Sequence, residues 1–129
     1  SYSKVKMGQV EINSGIVSVI GPWIIEKILG LNKAIELSLS GRLISGTEAY
    51  KIGAINYLVS YNSVLNNSIK IAKELANKPS NAMRLTKKRI WEMFSKDFDQ
   101  TFKKAMLYHK KSFKLGEPQS GSKNFFEKK

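Results

Sequence analysis

Cysteine is absent from the 129 residues, histidine occurs once and proline three times. Without cysteine there is neither a disulfide nor a thiolate for zinc. The lone histidine, His109, has no second imidazole with which to form a metal-ligand pair, and a His-centred triad would need a group from outside the chain. Carboxylates are left as the candidate acid–base groups, and they too are scarce, with 10 Asp plus Glu against 22 Lys plus Arg and a net charge of +12. No apolar run approaches the roughly 18 residues of a membrane span. The longest, 16–25, is broken by Ser18, Gly21 and Pro22. No basic segment leads into an apolar one as in a secretion signal, and a chain without cysteine fits a reducing, cytoplasmic setting.

What is present suffices for one core: 42% of residues are hydrophobic and 10% aromatic. The charge is uneven, net +3 over residues 1–77 and net +9 over 78–129. Such a field attracts phosphates, whether of nucleic acid, an anionic membrane surface or a phosphorylated cofactor, and charge alone does not choose among them. The chain begins at Ser1 without an initiator Met, which we read as processing or as part of something longer.

The period-2 pattern over 2–7 predicts a strand ended by Gly8, followed by a loop to Gly15. Apolar residues at helical spacing predict helices over 22–29 and 33–39, the first with Pro22 in its first turn and Gly30 beyond its end. Ser45-Gly46-Thr47-Glu48 is a capping box, predicting a short helix that stops at Gly53. A short strand is expected over 54–59 and a helix over 63–77. Another helix restarts at Pro79, and Asp97 with Gln100 is expected to cap one more, which Gly116 and Pro118 break. The first strand finds no partner long enough for a stable sheet, which again points to sequence upstream.

Two stretches carry the chemistry. Gly8-Gln9-Val10-Glu11 places a carboxylate in a tight turn after a strand, a common setting for a catalytic group, although a solvated loop glutamate has the same local pattern. Read together, 7–15 and 33–56, from Lys33-Ala34-Ile35-Glu36-Leu37 through Ser40-Gly41-Arg42-Leu43-Ile44-Ser45-Gly46-Thr47-Glu48-Ala49 to Gly53-Ala54-Ile55-Asn56, resemble the crotonase superfamily of enoyl-CoA hydratases and isomerases. Its members show F-G-x-P-E-x-x-x-G, a helix, then A-x-E-L-x-L-T-G-x-x-I-x-A-x-E-A-x-x-x-G-L-V, two basic helices and an F-x-E-K-R-like ending. Here Phe125-Phe126-Glu127-Lys128-Lys129 supplies that ending. Val10 stands where many members have Pro, and Ser18-Val19-Ile20-Gly21-Pro22 replaces P-G-x-G-G, so the region bordering the acyl pocket is rebuilt.

The resemblance implies an α/β fold, the C-terminal portion of a ClpP/crotonase-like ββα spiral, mostly helical with a few short strands. Residues 1–60 would be the last part of the acyl-CoA-binding core and 61–129 a helical trimerisation region. It also implies hydration of a trans-2-enoyl-CoA, or isomerisation of its double bond, through a thioester enolate. The substrate is then a coenzyme A thioester, with no permanently bound cofactor and no metal. By the same resemblance Glu11 is the catalytic glutamate. Lys128 and Phe125 are the coenzyme A contacts, the lysine reaching the nucleotide end of a neighbouring subunit's ligand in a homotrimer or a dimer of trimers. The two enolate-stabilising N–H groups lie in upstream segments of the family, so the chain by itself is expected to be inactive.

Lys87-Lys88-Arg89, Lys103-Lys104 and Lys110-Lys111 admit three readings: wet helix faces, cations for coenzyme A phosphates, or a basic helical module for RNA or an acidic partner. His109, on the apolar side of its helix, reads as a packed core or interface residue. Trp91, Phe94, Phe98, Phe102, Met106 and Phe113 crowd one region, and some are expected to meet another chain.

Overall fold

The computed structural model describes residues 1–127, with side chains through Lys123. Strand β1, Lys6–Met7, pairs antiparallel with β2, Ile44–Ser45, in the register Lys6 to Ser45 and Met7 to Ile44. The first strand thus has a partner within the chain after all, and is shorter than its pattern suggested, because Ser3 and Lys4 turn. A two-residue ladder holds through its side chains: Ile44 is buried, and Met7 packs against the same cluster. The expected strand over 54–59 does not form. The N–H groups of Ala54 and Ile55 both donate back to the Ala49 carbonyl, at 2.8 and 3.3 Å, so they are spent before a ladder could use them.

Helices α1, Ile20–Leu29, and α2, Leu31–Ser40, pack on each other across Gly30, whose φ of +83° makes the corner. Pro22 falls in the first turn of α1, where its missing N–H costs no hydrogen bond. Leu37 of α2 meets Ile44 of β2 and Ala49 of α3, Gly46–Lys51, to make the core, with Ile25, Leu29 and Ile52 at its edge, and Ala34 of α2 is buried as well. Leu31, Ile35 and Leu39 form an outward stripe on the same helix. Only half of the capping box closes: Ser45 Oγ accepts the Glu48 N–H at 3.1 Å, whereas the Glu48 carboxylate is held by Arg42.

After α4, Val64–Ala76, comes one unbroken helix, α5, Ser80–Leu115, of 36 residues, or about 54 Å. The break expected at Asp97 is absent because that carboxylate faces Lys27 of α1 at 3.8 Å instead of capping. Rings also span the position: Phe98 lies 5.8 Å from Trp91, 6.1 Å from Phe102 and 5.6 Å from Trp23 of α1. Ala105 is the one buried apolar residue of α5. Leu65, Ile69, Trp91, Phe102, Met106 and Phe113 stay largely exposed, more apolar surface than a self-sufficient small domain leaves in water. Gly116, at φ +81°, ends α5, and α6, Glu117–Glu127, turns back toward the loop after β1.

Candidate active site

The chain leaves β1 through Gly8, where a Cβ would strike the Arg42 carbonyl, and folds into a 3-10 turn, Glu11–Ser14, closed by Gly15 at φ +67°. Side chains pin this turn from several directions. Asn13 Nδ2 donates to the Gly41 carbonyl at 2.8 Å, Ser112 Oγ of α5 donates to the Gly15 carbonyl at 3.0 Å, and Ser18 Oγ donates to Gln9 Oε1 at 2.9 Å. Helix α6 closes on it as well, with Gly121 so near the Ser14 carbonyl that a side chain would not fit.

Gly41 is itself positioned by a charged knot. Arg42 donates from both terminal nitrogens to Glu48, at 2.6 and 3.1 Å, and from Nε to Glu36, whose other oxygen pairs with Lys33 at 3.0 Å. The Arg42 hydrogen bond, reinforced by Lys33, pulls the Glu36 carboxyl down to about 2. Arg42 also lowers Glu48 below the ordinary range. One guanidinium therefore fixes the end of α2, the start of α3 and the acceptor that holds Asn13.

Glu11 stands first in the turn, half-buried, with Oε2 shielded from solvent and without a hydrogen-bond partner. It lines a pocket of about 210 Å³ together with Val17, Ser18, Val19, Ile20, Gly21 and His109. The fold holds two larger, mostly apolar cavities, one of which shares Val17 with the Glu11 pocket. One, about 310 Å³, has Ile12, Ile16, Val17, Tyr108 and Leu115 in its wall, and the other, about 240 Å³, has Met7, Ile25, Leu29, Leu37 and Ile44. A carboxylate with a free buried oxygen beside an apolar hollow is equipped to move a proton on a ligand that carries an apolar tail.

Of the residues read from sequence, Glu11 is thus set in a pocket. Phe125 lies on α6, but its side chain falls outside the described ones, and Lys128 lies outside the described residues. His109, read from sequence as a packed core or interface residue, lines the Glu11 pocket from a position 98 residues further along the chain, with no local signal of it. The Arg42 knot also escaped, although acid, base and acid spaced six apart at 36, 42 and 48 could have suggested it. Lys87, Lys88, Arg89, Lys103 and Lys104 all lie on exposed stretches of α5, Lys88 within 3.9 Å of Glu92. Among the described residues, no group of three or more His, Asp or Glu is placed to hold a metal, and no helix is long and apolar enough to cross a membrane.

The small core, the strand-fed turn and the long helices are the C-terminal, mostly helical portion of a crotonase fold. The profile of the enoyl-CoA hydratase/isomerase family matches residues 2–129, and the chain belongs to that family. It is 27% identical over 124 residues to a putative enoyl-CoA hydratase of Thermus thermophilus, covering 96% of this chain and 49% of the relative. To a short-chain-enoyl-CoA hydratase of Clostridioides difficile it is 34% identical over 89 residues, covering 68% and 57%. Among solved structures, an enoyl-CoA hydratase/isomerase from Pseudoalteromonas atlantica superposes with a TM-score of 0.90 at 19% identity, over 99% of this chain and 52% of that one. A carnitinyl-CoA hydratase from Mycobacterium avium superposes at 0.86 and 18%, over 100% and 51%. The chain spans about half the length of these relatives.

Proposed function

We propose that the chain contributes the acid–base half of an acyl-CoA-processing enzyme, which hydrates a trans-2-enoyl-CoA or shifts its double bond through a thioester enolate. The observation that carries this reading is the Glu11 carboxylate oxygen, buried and unpartnered in a pocket on the turn that the family motif marks. Glu11 takes a proton from the attacking water in hydration, or from the γ-carbon of the enoyl chain in the double-bond shift, returning it at the α-carbon, and the adjoining apolar hollow receives the acyl chain. The charge that develops on the thioester oxygen needs donors, which the family resemblance places in the half of the fold outside this chain. The 129 residues alone are accordingly expected to be inactive.

Within the same reading, residues 1–60 form the end of the acyl-CoA-binding core and 61–129 the region that joins subunits into trimers in the cytoplasm. Phe125 and Lys128 contact coenzyme A, the lysine at the nucleotide end of a neighbouring subunit's ligand. The exposed apolar residues of α4 and α5 support the assembly role. The test is turnover of crotonyl-CoA by the native protein, isolated at its natural length, followed through loss of the enoyl thioester absorbance. Glu11→Gln is expected to keep the fold, read by circular dichroism, and to cut turnover by roughly 10²–10⁴-fold. A variant as fast as the wild type would remove Glu11 from the mechanism.

A further inference from the structure

The turn Glu11–Ser14 has few backbone bonds of its own. The Asn13 N–H donates to the Val10 carbonyl at 3.0 Å and the Gly15 N–H to the Ile12 carbonyl at 3.1 Å, and Val10, at the head of the turn, supplies no side-chain cap. Such bonds hold the shape of the turn without fixing its direction relative to the core. Ser112 and Gly121 touch its far end, at Gly15 and Ser14, whereas residues 41–43 touch the chain on both sides of Glu11 itself. Before Glu11, Gly8 lies so close to the Arg42 carbonyl and the Leu43 Cα that a Cβ would not fit. After it, Asn13 Nδ2 donates to the Gly41 carbonyl at 2.8 Å.

The Asn13 contact is closely fitted. Gly41 is buried at a φ of +60°, which favours glycine, and a Cβ there would come within 2.6–2.8 Å of three side-chain atoms of Asn13. The acceptor is held in place as well, because the adjoining Arg42 bonds to Glu36 of α2 and to Glu48 of α3. Every one of these bonds is closed within the chain. With about three residues per turn of a 3-10 helix, Glu11 and Asn13 point about 120° apart. Glu11 faces its pocket, whose lining does not include Asn13, so the amide grips the turn from another side.

We propose that Asn13 is a positioning residue, which aims the Glu11 carboxylate by docking its turn on the Gly41 carbonyl. The assignment rests on the Glu11 reading above and deepens it. Proton transfer tolerates little misplacement, since an offset of about 1 Å can cost about 10²-fold in rate. Without the Asn13 bond the turn keeps its backbone bonds and its Gly8 contact, so the carboxylate stays at the pocket but samples a wider range of positions. Binding of substrate depends on the pocket walls and changes little, and the loss falls on kcat.

Asn13→Leu, close to asparagine in size but unable to donate, and Asn13→Ala test this in the native protein with crotonyl-CoA. Each is expected to lower kcat about 10-fold to 10²-fold, with KM nearly unchanged and helical circular dichroism preserved. A second comparison separates aim from general support. In the Glu11→Gln background no carboxylate remains to be aimed, and the same substitutions should change the residual kcat less than about 2-fold. An equal loss in both backgrounds, a loss confined to KM, or unfolding of both variants would make Asn13 a structural residue and overturn the proposal. Wild-type kcat in both variants, with Glu11→Gln still disabled, would overturn it too while leaving Glu11 in the mechanism. Full activity in Glu11→Gln would overturn both readings.

Discussion

Leucines 37 and 39 stand two residues apart on α2, one 3% exposed in the core and the other 67% exposed on the outer stripe. Truncating each to alanine changes helix propensity equally, so that contribution cancels between them. Leu37→Ala removes three buried carbons, worth about 2.4 kcal/mol at about 0.8 kcal/mol per methylene. The cavity contribution stays small, because Leu37 already lines the open hollow it shares with Met7, Leu29 and Ile44, and the new space joins that hollow instead of forming a sealed void. The expected loss is about 2–3 kcal/mol for Leu37→Ala, against less than about 1 kcal/mol for Leu39→Ala. Urea unfolding of the 129-residue chain, followed by helical circular dichroism, reads both as midpoint shifts at unchanged slope. Losses agreeing within about 0.5 kcal/mol would refute the placement of the core on the Leu37 face.

Two further outcomes test other parts of the structure. Because the Glu36 carboxyl is depressed from its ordinary value of 4.5 to about 2, its contribution is complete above pH 4.5 and is lost as the pH falls from there toward 2. The melting temperature should drop across that window, and Glu36→Gln should flatten the drop. A variant with the wild-type acid profile would exclude the Arg42 knot as its cause. Light scattering on the native protein at micromolar concentration should give a trimer or a multiple of it; a stable monomer would return the exposed aromatics of α4 and α5 to contacts inside one subunit.

Local signals were read well. Pro22, Gly30, Gly41, Ser45 and Gly116 each mark a helix boundary in the sequence, and each lies at or next to one in the structure, because caps and corners are decided within a few residues. The misreadings involved long-range partners. Asp97 has the sequence of a cap, but Lys27, seventy residues away, lies beside it, and the Trp23–Phe98 contact carries α5 through. Residues 54–59 have the composition of a strand, but their first N–H groups turn back to Ala49. The turn that carries Glu11 was legible because the motif around it is contiguous. His109 was not, since nothing local distinguishes an imidazole that fills a core from one that borders a pocket.

The unbroken course of α5 restricts how the chain can change its length. Each residue of a helix turns about 100°, so adding or deleting one between Phe98 and His109 would force a choice between two engagements of the same helix. Either the ring contact with Trp23 is kept and the imidazole swings away from Glu11, or the reverse. An insertion before Trp91 leaves the spacing between these two engagements unchanged. The long helix thus has a stretch, from Phe98 to His109, where these two engagements confine evolution to substitution.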